Sequence, residues 1–130
     1  MNITSDNLSL AELRMPIASV ITKYFGGDTE LFADYQASCV SNFPDDLRDG
    51  HAACAVADTE ALMRTAHNLK SILLTLGFVS ISQEAAACEQ CSHAGDVPLA
   101  QASWNRLARL VTFVLASGAL QPKPLSQIGL

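Results

Sequence analysis

Nowhere in this sequence does an apolar run approach the roughly 18 residues of a membrane-spanning helix, and the opening Met1-Asn2-Ile3-Thr4-Ser5-Asp6 has no basic start leading into an apolar stretch. Neither membrane insertion nor export is expected. Basic residues are also few: eight Lys and Arg against thirteen Asp and Glu leave a formal net charge of −5, and the eight are scattered. Nothing in that balance would neutralise a phosphate backbone, which excludes nucleic acid as an expected partner. There is no Gly-rich loop leading into a helix with a lysine, no protein-kinase signature, and no acidic cluster arranged to hold Mg²⁺. The sequence therefore offers no recognisable ATP site. Alternating strand patterns, internal repeats and low-complexity segments are absent as well.

Cysteine is limited to Cys39, Cys54, Cys88 and Cys91, all in stretches of helical apolar periodicity. There a free thiol behaves as a small hydrophobe, and the four read as reduced cysteines of a cytoplasmic protein. What the chain does have is apolar content: 49% of its 130 residues are hydrophobic and 16% charged. That suffices for one domain with a buried core.

The organising stretch runs from Asp58 to Gly77. Asp58 is placed to accept hydrogen bonds from the first turn of a helix, Glu60 suits its positive end, and Gly77 tolerates a left-handed stop. Leu62, Ala66, Leu69, Leu73 and Leu76 share one face at about 100° per residue, with Ile72 at its edge. On the opposite side stands His67. Lys70, Ser71 and Leu74 follow it within about 60° on the wheel, and Glu60, Met63 and Arg64 precede it. A lone imidazole on a solvent face is usually an ordinary surface histidine. With a cation one turn on and a small hydroxyl beside it, it is also a place to carry a phosphoryl group.

Before this helix, Ser9-Leu10-Ala11-Glu12 has the form of a capping box. After Pro16, the residues Ile17, Val20, Ile21 and Tyr24 predict a short amphipathic helix ending at Gly26-Gly27. Asp28 caps a helix with Leu31, Phe32, Tyr35, Cys39 and Phe43 on one face, and Pro44 is expected to open a further helix carrying Leu47 and Cys54. After it, Ser80-Ile81-Ser82-Gln83 is a second capping-box form, with Ile81, Ala85, Cys88 and Ser92 as a narrow stripe of small residues. Asp96 and Pro98 open the last helix, whose face is Trp104, Leu107, Val111 and Val114. The expected architecture is all-α: an up-down-up-down four-helix bundle with an additional short N-terminal helix. Residues 9–120 would form the bundle, with flexible segments at 1–8 and 121–130.

His67-x-Leu69-Lys70-Ser71, followed by Leu76-Gly77, resembles the signature of histidine-containing phosphotransfer (HPt) domains, H-x-L-K-[GS] with L-G ten residues after the histidine. Gly26-Gly27-Asp28, Phe43-Pro44, Ala57-Asp58, Cys88-Glu89 and Gly95-Asp96 sit where that family has comparable residues, so the likeness spans about 16 to 118. The resemblance implies a phosphoryl carrier rather than an enzyme in its own right, working in a two-component phosphorelay. His67 would be the phosphoacceptor, Lys70 would offset phosphoryl charge, and Ser71 would leave room or donate a hydrogen bond. Receiver domains of response regulators, a hybrid sensor histidine kinase, or both are the implied partners, with Mg²⁺ on the receiver and no cofactor on this chain.

For docking, Met63, Leu74 and Phe78 form an apolar group around His67, with Arg64 on its polar rim. The group is too small for an obligate dimer, so a monomer is expected. Two alternative readings stand beside this one. A helical adaptor would bind receiver or kinase domains through the His67 face without being phosphorylated. A zinc protein would draw on Cys88, Cys91 and His93 together with His51 and Cys54, whose spacing is loosely zinc-like.

Overall fold

The computed structural model describes residues 13–120. The capping box expected at residues 9–12, and the terminal segments expected at 1–8 and 121–130, lie outside the described residues. Within them run five bounded helices, α1 (Ile17–Phe25), α2 (Thr29–Ala55), α3 (Thr59–Thr75), α4 (Val79–His93) and α5 (Val97–Ala116). Helices α2 to α5 form the bundle: α3 packs on α4, α4 on α5, α2 on α3, and contact between α2 and α5 closes the ring. Helix α1 lies against α2.

The local signals explain where the helices begin. Asp28, Asp58 and Asp96 each occupy an N-cap and accept a hydrogen bond from the backbone N–H three residues on, at 2.9, 3.0 and 3.2 Å. That satisfies one otherwise orphaned donor per helix. The core is the sum of the apolar stripes. Leu62, Ala66, Leu69, Leu73 and Leu76 from α3 and its end are buried with Ile81, Ala85 and Cys88 of α4 and Trp104, Leu107, Val111 and Val114 of α5. The small residues of the α4 stripe let α4 sit close to α3, as ridge-and-groove packing requires. All four cysteines are free, and burial pushes the Cys88 thiol up to about 11, so it packs as a hydrophobe rather than as a nucleophile.

Three expectations need correction. Pro44 does not open a new helix; it lies inside α2, which continues for 27 residues. Phe32, Cys39, Phe43, Gly50 and Ala53 are buried along one line on both sides of it. Burying that stripe outweighs the ~3 kcal/mol that an interior proline costs. Helix α4 begins at Val79, with Phe78 as a cap residue that makes no side-chain cap bond, so Ser80 is inside the helix and not its cap. Leu31 is 53% exposed and stands outside the core line of its helix.

The corner between α3 and α4 is set by Gly77. Its φ of 93° lies in the left-handed region, and a Cβ there would stand 2.5 Å from Val20 Cγ2 of α1. Only glycine satisfies both demands. From outside, the Met15 N–H donates to Gly77 O at 2.9 Å, and Arg14 Nε donates to Leu76 O at 2.8 Å. The Arg14 guanidinium also lies 4.7 Å from the Phe78 ring centroid, and its Nη2 donates to Gln36 Oε1 at 2.7 Å. Burial lowers the Arg14 pKa to about 10, which leaves it charged at neutral pH.

Candidate functional site: a histidine and a lysine on one carboxylate

His67 and Lys70 stand one turn apart on α3, on the side away from its leucine stripe, so both side chains reach the same part of the neighbouring helix. That neighbour is α4, and the residue it supplies is Glu89. His67 Nδ1 lies 2.6 Å from Glu89 Oε2, and Lys70 Nζ donates to Glu89 Oε1 at 2.6 Å. One carboxylate thus binds both groups, one oxygen to each. Ser82 Oγ donates to Lys70 O at 2.9 Å and fixes α4 against α3 a little under two turns from Glu89.

The electrostatics follow from the geometry. The hydrogen bond from Lys70 holds the Glu89 carboxyl below the usual carboxylate range; partial burial works against this, and the bond to His67 adds to it. Glu89 is therefore ionised at neutral pH and can only accept. The proton between it and His67 must sit on Nδ1, and in the neutral ring that leaves the lone pair on Nε2. The His67 side chain is 58% exposed while that of Glu89 is 22% exposed. The carboxylate is held in the groove and the imidazole stands out of it.

The other residues singled out in the sequence fall into two groups. Ser71 is exposed next to His67, and Leu74 is 39% exposed further along the same helix. Met63 is half-buried, and Arg64 is exposed and paired with Glu60 at 3.2 Å. Phe78 does not belong with them. It is fully buried, because the left-handed turn at Gly77 swings it into the core beneath Arg14. Of the three apolar residues expected around His67, Met63 is half-buried and Leu74 exposed, while Phe78 lies in the core.

Glu89 was absent from the sequence-derived set, although a signal for it exists. On the α4 wheel it lies about 40° from Ala85 and about 20° from Ser82, on the face that packs against α3. An acid on a packed face needs a partner, and that requirement points across to the next helix. The zinc-like residues are placed otherwise. His51 Nδ1 accepts a hydrogen bond from Trp104 Nε1 at 3.1 Å, and among the described residues no group of three His, Cys, Asp or Glu side chains is arranged to hold a metal ion.

A family model for the Hpt domain matches residues 34–117, well over half of the chain. The chain belongs to the Hpt domain family. The matched interval holds most of α2 and all of α3, α4 and α5, and begins further in than the likeness read from the motifs. Hpt domains are helical phosphocarrier modules that interact with receiver domains and kinases in phosphorelays. No curated protein and no solved structure matched the chain in the parallel comparisons. None of the described helices is long and apolar enough to cross a membrane.

Proposed function

We propose that this protein is a histidine phosphotransfer protein, in which His67 takes a phosphoryl group from a receiver-domain aspartyl phosphate and passes it to the aspartate of another receiver. The observation that carries this reading is the exposed His67 ring whose Nδ1 is held by Glu89, within a bundle of the Hpt family. In the accepting step the Nε2 lone pair forms the N–P bond while the P–O bond to the aspartate breaks and the carboxylate leaves. The Nδ1 proton stays in place, and the positive charge that develops on the ring faces the Glu89 carboxylate. The step is reversible, which is what a carrier requires. Mg²⁺ would belong to the receiver, and the protein would work in the cytoplasm as a monomer.

Around His67, the small exposed Ser71 leaves room for a partner's approach, and Leu74 and Met63 offer apolar contact with Arg64 at the rim. The test is transfer of labelled phosphate from a phosphorylated receiver to wild type and to His67→Gln. Acid-labile, base-stable label on wild type alone is the expected result. No label on the folded wild type from a panel of receivers would overturn the assignment and leave an adaptor that binds through the same face.

A further inference from the structure

The family likeness assigns Lys70 to the phosphoryl group, but in the structure its ammonium is bound to Glu89 at 2.6 Å. The same carboxylate holds His67 Nδ1 at 2.6 Å through its other oxygen. We infer that Lys70 is a positioning residue that acts on His67 through Glu89 rather than on the phosphoryl group directly. The inference deepens the phosphoacceptor reading and rests on it.

Alone, Glu89 would act at this site in two ways. An uncompensated carboxylate beside the ring would draw a second proton onto the imidazole and so consume the Nε2 lone pair. It would also repel the anionic phosphoryl group as it approaches. Both effects oppose the reaction that the Nδ1–H contact otherwise favours. Lys70 removes them while leaving the hydrogen bond in place, because it neutralises the far oxygen of the same carboxylate. The pair then holds the ring proton without presenting a net charge. Burial supports this arrangement: the Lys70 and Glu89 side chains are 34% and 22% exposed, against 58% for His67, so the ion pair lies in the groove and the nucleophile outside it.

A cation that met the phosphoryl oxygens and a cation that acts through Glu89 differ in one measurable respect. The second has an effect only while the carboxylate is there. Four proteins decide between them: wild type, Lys70→Met, Glu89→Gln and the double variant, each checked for fold by circular dichroism. The first readout is the pair of ¹⁵N shifts of the His67 ring at pH ~7, which report where its protons sit. Wild type is expected to show the Nδ1–H tautomer. Lys70→Met is expected to move the shifts toward imidazolium, and in the Glu89→Gln background it is expected to move nothing. The second readout is the rate of phosphorylation by phosphoramidate, in which the P–N bond of the reagent breaks and ammonia leaves as the Nε2–P bond forms. Lys70→Met is expected to slow this about tenfold in wild type and less than about twofold with Glu89→Gln, a non-additivity that marks two residues acting as one.

Equal effects of Lys70→Met in both backgrounds, on shifts or on rate, would overturn the inference, since Lys70 would then act without Glu89. The two readings fail separately. Label on His67 with additive shifts keeps the phosphoacceptor and removes the coupling; coupled shifts with no label from any donor keep the coupling and remove the phosphoacceptor.

Discussion

The indole of Trp104 occupies the space that a side chain at Gly50 would fill. A Cβ built at position 50 would stand 2.0 Å from Trp104 Cη2, and Trp104 is fully buried. Helix α2 thus approaches α5 over a gap of one methyl group. Gly50→Ala gains about 1 kcal/mol of helix propensity and loses more through displacement of the indole. A net destabilisation of about 2 kcal/mol is expected, seen as a Tm lowered by roughly 5–10 °C. The tryptophan fluorescence of the folded state should shift with it, since the ring must leave its contact with His51.

Ala57 carries the opposite signature. It is a non-glycine residue with φ of 56°, in the turn before the Asp58 cap, and it is exposed. A left-handed alanine costs about 1–2 kcal/mol, which glycine avoids at some loss of chain entropy. Ala57→Gly is expected to stabilise the fold by about 0.5–1 kcal/mol. Thermal melts of the two proteins check it.

The pH dependence follows from Glu89. Its folded pKa lies below the ordinary 4.5 because Lys70 and His67 bind the ionised form. A depressed acid contributes stability that is complete above its unfolded pKa and is lost as pH falls through the folded one. The Tm difference between wild type and Glu89→Gln should therefore hold steady from about pH 7 to about pH 5 and close as the pH drops below about 4.5. Both partners of the carboxylate are partly exposed, so the difference is a few degrees at most.

Leu74 and Phe78 separate docking from folding. Leu74 is 39% exposed and Phe78 fully buried. Leu74→Ala should change stability by less than about 1 kcal/mol and weaken binding to a receiver domain. Phe78→Ala should cost about 3–5 kcal/mol and reduce folded protein before it affects any partner. Melting curves and a binding titration on each variant distinguish the two.

Much of the fold could be read from residue types alone, since the deciding interactions are local. The aspartates at 28, 58 and 96 cap their helices through bonds three residues long, and the α3 stripe from Leu62 to Leu76 is buried as its spacing requires. What escaped depends on partners distant in sequence. Pro44 reads as a helix start because its cost is local, while the burial of Phe43, Gly50 and Ala53 that offsets it comes from other helices. Phe78 reads as exposed because a wheel carried past Gly77 ignores the turn there. Glu89 shares a wheel face with Ser82 and Ala85, but which groups it meets depends on the register of α3 against α4, which brings His67 and Lys70 to it.

The corner at Gly77 also bears on how the protein can be divided. The interval that defines the family, 34–117, leaves out Arg14, Met15 and Val20, the residues that close over Leu76, Gly77 and Phe78. A piece cut at the family limits would keep every residue of the His67 site yet bare the corner between α3 and α4. The portable unit is larger than the recognisable one, and a transplant or fusion of this domain should begin no later than Leu13.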